Sequence, residues 1–130
     1  MLKIIFRCAL VSILLTATFA ANADVNRALT NMCEIVKSND KSELRKKIHN
    51  VATYYRMKLN DYYDAVSCDG YSLIRAAILF NALESGSLLI KKMPRGALAA
   101  PEADGKTLQA WVAEQGLNNT EIAMLLNDRL

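Results

Sequence analysis

Cysteine, a single histidine and a cluster of tyrosines are the residue types here that could carry chemistry or recognition. Cys68, in "VSCDGYSLIRAA", precedes an Asp-Gly turn and a helix start. A helix mouth with an imidazole beside it can hold a nucleophilic thiolate. His49 is the only histidine in the chain, so it is the only imidazole base for such a pair. A structural zinc site needs four ligands at close spacing. Asp61, Asp64 and Asp69 fall near Cys68, but they follow no twelve-residue calcium-loop pattern and read as turn-forming and capping acids. The 13 acidic residues are scattered, and no G-x-S-x-G, H-E-x-x-H or P-loop occurs. The expectation is a non-enzymatic protein without metal or cofactor.

The compartment decides between thiolate and disulfide. Residues 1–23, "MLKIIFRCALVSILLTATFAANA", carry Lys3, an apolar run and an Ala-Asn-Ala exit. That is the pattern of a secretory signal peptide cleaved before Asp24, leaving one helical domain over 24–130. Lys3 and Arg7 leave with it, so the formal charge falls from +3 to +1. A near-neutral product lacks the basic excess of a phosphate-tracking nucleic-acid binder. No other segment reaches the length of a membrane span, so the expected location is periplasmic or secreted. Cys8 also leaves, and Cys33 and Cys68 remain in an oxidising compartment, where they pair most simply as a disulfide. Closing that loop contributes roughly 3.5–4 kcal/mol in the chain-entropy model. Oxidised Cys68 has no thiolate.

The elements that must position these residues are helices, since three- and four-residue apolar spacing dominates and period-two strands are absent. Val25, Leu29, Met32 and Val36 mark one helix over 25–38. Asp40 with Glu43 caps a second, whose stripe is Leu44, Ile48, Val51, Tyr55 and Leu59. Residues 60–70 read as a turn with a short helical piece. Ser72 or Asp69 caps the most apolar helix, with Leu73, Ala76, Ala77, Phe80 and Leu83 inward and its end near Gly86. A shorter helix over 87–93 stops at Pro94. Residues 94–104 read as a linker or long loop. Thr107 caps a helix burying Leu108, Trp111 and Val112, and Asn119 or Thr120 caps the last one. The fold class is all-α, a small bundle or stack of three helical hairpins with one disulfide.

"DGYSLIRAA" at 69 and "DGKTLQAWV" at 104 share D-G-x-[ST]-L followed by a helix. A helix–turn–helix period near 33–35 resembles ankyrin-type repeats. Thr107 and Leu108 match the start of the ankyrin first helix, while its proline and histidine are missing. "CEIVKSNDKSELRKKI" and "CDGYSLIRAAILFNA" resemble a family of small exported bacterial proteins described only as a domain of unknown function. That resemblance runs over about 32–93 and includes both cysteines. It implies a bacterial envelope setting and a paired-cysteine helical domain, and it carries over no catalytic residue.

Two surfaces remain. All five tyrosines, Tyr54, Tyr55, Tyr62, Tyr63 and Tyr71, lie in one short stretch. Spacing places Tyr55 in the core and leaves Tyr54, Tyr62 and Tyr63 for contact with a partner. Lys41, Arg45 and Lys46, with Lys47, form a basic helix face that reads as solvated or as a contact for anionic envelope surfaces. The leading expectation is an exported module that binds a protein or envelope component. The alternatives are an anionic-surface binder using the basic face and a Cys68/His49 enzyme.

Overall fold

The helices are short because the backbone repeatedly enters the left-handed region. In the computed structural model, which describes residues 24–130, Asn31, Asn39, Arg56, Asp69 and Asn81 have φ between 51° and 70°. Asn and Asp tolerate this conformation because their short side chains bond locally, and such a residue stops a helix. The signal segment expected at 1–23 lies outside the described residues.

Residues 24–29 are helical, and Thr30 closes that turn by donating from its amide and its hydroxyl to the Asn26 carbonyl, at 3.1 and 3.0 Å. The single helix expected over 25–38 is therefore interrupted, with Asn31 at φ 70°. Residues 31–130 form one compact unit.

Within that unit the elements are α1 (Met32–Lys37), α2 (Lys41–Tyr55), α3 (Leu59–Tyr62) continued by a 3-10 turn (Tyr63–Ala65), α4 (Leu73–Leu79), α5 (Leu83–Lys92), α6 (Arg95–Ala99), α7 (Leu108–Glu114) and α8 (Glu121–Arg129). The chain is all-α, and the consecutive pairs α1–α2, α4–α5 and α7–α8 each pack together. Four side chains read as caps accept the expected amide: Asp40 from Glu43, Ser72 from Arg75, Thr107 from Ala110 and Thr120 from Ala123.

α5 is the hub, packing against α1, α2, α3, α4 and α8. Leu88, Leu89 and Ile90 are buried on α5, as are Leu44, Ile48, Val51, Leu73, Ile74, Ile122 and Leu126 on the helices packed against it. Gly86 lies inside this helix and does not end its predecessor. A Cβ at that position would stand 3.0 Å from Ile122 Cδ1 and 3.3 Å from Ala77 Cβ, so glycine permits the close approach. The predecessor stops at Leu79, where Asn81 turns the chain. Phe80, expected inward, is consequently 57% exposed, with the Lys37 ammonium 5.1 Å from its ring centroid. Residues 94–104 are not all loop, because Arg95–Ala99 is α6.

The start of α5 has no cap of its own, since its N-cap residue is Ala82. Asn39, 45 positions from Glu84, supplies one: its Oδ1 accepts from the Glu84 and Ser85 amides at 2.8 and 3.1 Å. Replacing Asn39 by Gly keeps the left-handed backbone and removes only the cap. Asn39→Gly is expected to lower unfolding stability by about 1 kcal/mol; an unchanged denaturant midpoint would show that the cap contributes nothing.

Cys33 and Cys68 are joined in a disulfide across 35 positions, Cα–Cα 5.5 Å. The bridge fastens α1 to the turn that precedes α4. Cys33→Ala/Cys68→Ala should lose about 2–4 kcal/mol of stability. Dithiothreitol should reproduce that loss in the parent protein and leave the double variant unmoved.

Candidate functional site

The two D-G-x-[ST]-L stretches each make a turn, end on a helix cap and meet in space through Arg75 and Asp104. Asp69 and Gly70, at φ 53° and 89°, form the two-residue turn of a minimal hairpin. The Cys68 amide donates to the Tyr71 carbonyl at 2.7 Å, and the Tyr71 amide donates back at 3.0 Å. Ser72 then caps α4. In the second stretch the Glu102 amide donates to the Lys106 carbonyl at 2.9 Å, and Asp104 Oδ1 accepts from the Lys106 amide at 3.0 Å. Thr107 caps α7. The segment 100–106 thereby becomes a strap of fixed shape lying against the start of α4.

Arg75 ties the strap down. It belongs to the most apolar helix and is 6% exposed, so its charge must be paired. Its two terminal nitrogens donate to Asp104 Oδ2 and Oδ1 at 2.7 and 3.0 Å, a bidentate fork, and Nη2 also donates to the Lys106 carbonyl at 3.2 Å. Nε makes an ion-pair contact with Glu102 Oε1 at 2.6 Å, without the alignment of a hydrogen bond. Glu102 also accepts from the Tyr63 hydroxyl at 2.7 Å and the Ser72 hydroxyl at 2.9 Å. Trp111 covers the guanidinium, with Cζ 5.1 Å from the ring centroid. Tyr71 packs tilted on Trp111 at 6.2 Å.

The electrostatics follow from this geometry. The Arg75 hydrogen bond first, then the Lys106 amide, holds the Asp104 carboxyl at about 2. The bond to Asp104 is the foremost cause raising Arg75. Burial, then the Glu102 charge, pushes the Tyr63 hydroxyl well above its ordinary value, so it stays protonated and donates.

Two cavities flank this cluster. One of about 170 Å³ is lined by Tyr71, Ser67, Arg75 and Asp104 among others, and one of about 220 Å³ by Met93, Ala97, Ala100 and Pro101 among others. Both are also lined by Tyr63, Asp64 and Glu102, so they form two lobes of one trough between residues 60–72 and 97–104. Both lobes mix polar and apolar lining, with the Tyr63–Glu102 hydrogen bond at their shared wall.

The model of a family described as "Protein of unknown function (DUF3718)" matches residues 32–100, more than half of the chain. The chain belongs to this family. No curated protein and no solved structure matches it. The DUF3718 match covers α1 to α6 with both cysteines, Arg75 and Tyr63, and it stops just before Glu102 and Asp104.

Among the residues singled out from sequence, the structure brings Cys33 and Cys68 together, keeps Lys41, Arg45, Lys46 and Tyr54 on α2, and places Tyr62 and Tyr63 at the end of α3. Tyr54 is 78% exposed, as expected. Tyr62 and Tyr63, expected outside, are 1% and 5% exposed. The reason is that residues 59–65 wind into a helical turn that presses Leu59 and Tyr62 onto α5, while Tyr63 reaches under the strap to Glu102. Burial pushes the Tyr62 hydroxyl up to about 12. Tyr55, expected in the core, is half-buried. Arg45 and Lys46 are exposed; Lys46 pairs with Glu43 at 3.2 Å and Lys41 with Glu84 at 3.6 Å. His49 is exposed on α2.

Arg75, Ser72, Glu102, Asp104 and Trp111 were not read as a cluster. The signal was present: one charged residue inside "LIRAAIL", and a repeated D-G stretch whose acid could meet it.

Stabilisation from the Arg75–Asp104 pair is complete above the ordinary carboxylate range and is lost as pH falls through about 2. In Arg75→Lys the fork is gone, and the Asp104 carboxyl should titrate nearer its ordinary 3.8 by carbon-13 NMR. A midpoint still near 2 would remove Arg75 as the cause.

Proposed function

We propose that this DUF3718 protein is exported to the bacterial envelope, where it works as a non-enzymatic binding module that holds a protein or envelope component. The observation that carries this reading is the two-lobed trough between residues 60–72 and 97–104, with Tyr71, 41% exposed, beside it. Concave sites with aromatic and convergent polar lining are where ligands bind. Export is supported by the Ala-Asn-Ala exit and by the disulfide, which persists in oxidising compartments. The consecutive helical pairs suit the ankyrin-like reading of the repeated stretches, an arrangement that presents loops along one side.

The polar groups at the trough favour binding over catalysis. The Ser72 hydroxyl donates to Glu102, and that carboxylate is already engaged by Arg75 and Tyr63, so it is not a free base. Cys68 is bridged to Cys33, which leaves His49 no thiol to activate. The basic face of Lys41, Arg45 and Lys46 is a lesser contender, because Glu84 and Glu43 offset part of its charge.

The test is capture of partners from a bacterial envelope extract by the parent protein and by Asp64→Lys/Tyr71→Ser. Loss of the parent's specific bands in the variant is the expected result. Identical captured sets from both proteins would remove the trough as the binding site. N-terminal sequencing of the exported product should begin at Asp24.

A further inference from the structure

α5 and α8 lie side by side and run parallel. Near their starts a Cβ on Gly86 would stand 3.0 Å from Ile122 Cδ1, and at their ends Arg129 Nη2 donates to the Met93 carbonyl at 3.3 Å. Each helix turns its buried face to the core and leaves a stripe outward at three- and four-residue steps. On α5 that stripe is Glu84, Ser87 and Lys91, and on α8 it is Glu121, Met124 and Asp128. The spacing is the same in both, so the two stripes run in register.

A groove separates them. Cavities of about 470 and 210 Å³ share Ser87, Lys91, Leu125 and Asp128 as lining, with Leu83 and Met124 in the first and Ile90 in the second. No residue lines both this groove and the trough. Met124 is 49% exposed on one side, and the residue level with it on the other is the small Ser87. Lys91 and Asp128 are exposed and have no ion-pair partner among the described residues.

We infer that two copies of this chain pair through the α5–α8 face, about a two-fold axis that runs along the groove. Such an axis lays α8 of each copy on α5 of the other, in the same direction and at the same level. Met124 then seats on Ser87 of the second copy, large on small, and Asp128 meets its Lys91. Each contact occurs twice. Glu121 comes level with Glu84, where Lys41, 3.6 Å from Glu84 and lining the same cavity, supplies the countercharge. An axis across the helices would instead stack α8 on α8 antiparallel and oppose Glu121 to Asp128, acid to acid. The face is thus its own complement in size and charge, which selects a second copy over a foreign helix. The helices have ten and nine residues. Their face covers on the order of 300 Å² on each copy. A standard interface takes about 800 Å² per partner, so the dimer is a weak one.

Sedimentation velocity and amide NMR of the purified protein, from about 10 µM to about 1 mM, read this range of affinity. The expected result is a reversible monomer–dimer equilibrium, with concentration-dependent shifts at Ser87, Lys91, Met124 and Asp128. Lys91→Glu alone and Asp128→Lys alone should each weaken association roughly tenfold, because each turns two attractive pairs into repulsive ones. An equimolar mixture of the two variants should associate again, as a heterodimer. In that mixture every cross-copy pair is opposite in sign, whereas positions 91 and 128 within each copy are alike in sign. A parent protein that stays monomeric up to about 1 mM overturns the inference. So does a mixture that associates no better than either variant, because the loss then arises within each chain. Shifts confined to Tyr71 and Ala103 would move the contact to the trough and overturn it as well.

Discussion

A guanidinium in the middle of an apolar helix is the constraint around which this molecule is arranged. Arg75 is flanked in sequence by Leu73, Ile74, Ala76 and Ala77, all buried, and is itself 6% exposed, so an unpaired charge there would be very costly. The strap at 100–106 meets it with two carboxylates and a backbone carbonyl, and Trp111 closes the remaining side. The stretch that follows α6 is thus drawn back over the start of α4. The same contacts make the trough, because the wall opposite residues 60–72 is that strap.

A second set of restraints acts on the other side of α4. The Cys33–Cys68 bridge holds α1 to the Asp69-Gly70 turn, and Lys37 pairs with Asp69 at 2.7 Å beside it. Each D-G turn therefore has its aspartate paired with a cation from an earlier helix: Asp69 with Lys37 and Asp104 with Arg75. The two pairs differ in weight. Asp69 is largely exposed, so its pair is screened by solvent, whereas Arg75 is buried and Asp104 is 42% exposed, so their fork is screened less. Between them α5 supplies the apolar centre, helped by an acceptor that Asn39 lends to its first turn.

Membership of the DUF3718 family bears on how this site should be viewed. The matched segment contains Arg75, Tyr63 and Ser72 but ends at residue 100, before the two acids that answer Arg75. A partner for the buried charge is a physical requirement of α4. In this chain that requirement is met from the strap and covered from α7. The trough is a by-product of how the charge is satisfied, which joins the stability of the fold to the shape of that trough.

Local physics made much of the architecture readable. Apolar spacing placed Leu44, Ile48 and Val51, or Leu108, Trp111 and Val112, on buried faces, and Asp40, Ser72, Thr107 and Thr120 announced the helix starts. These features depend on neighbours three or four positions away. The pairing of Cys33 with Cys68 followed from there being no other cysteine in residues 24–130. Helix ends were less legible, because Asn31 and Asn81 stop helices by adopting a left-handed backbone that a periodic pattern does not register. Burial of Tyr62 and Tyr63 could not be read at all, since consecutive tyrosines look alike until α5 and the strap arrive to cover them. Arg75 and Asp104 are 29 positions apart, and Asn39 and Glu84 are 45. The sequence by itself determined the helical class, the caps at Asp40, Ser72, Thr107 and Thr120, and the disulfide, because short-range sterics and a lone pair of cysteines allow little else. Only the tertiary structure decided which acids meet Arg75, and hence where a ligand could lie, because a buried charge is paired by whatever the packed chain brings within 3 Å.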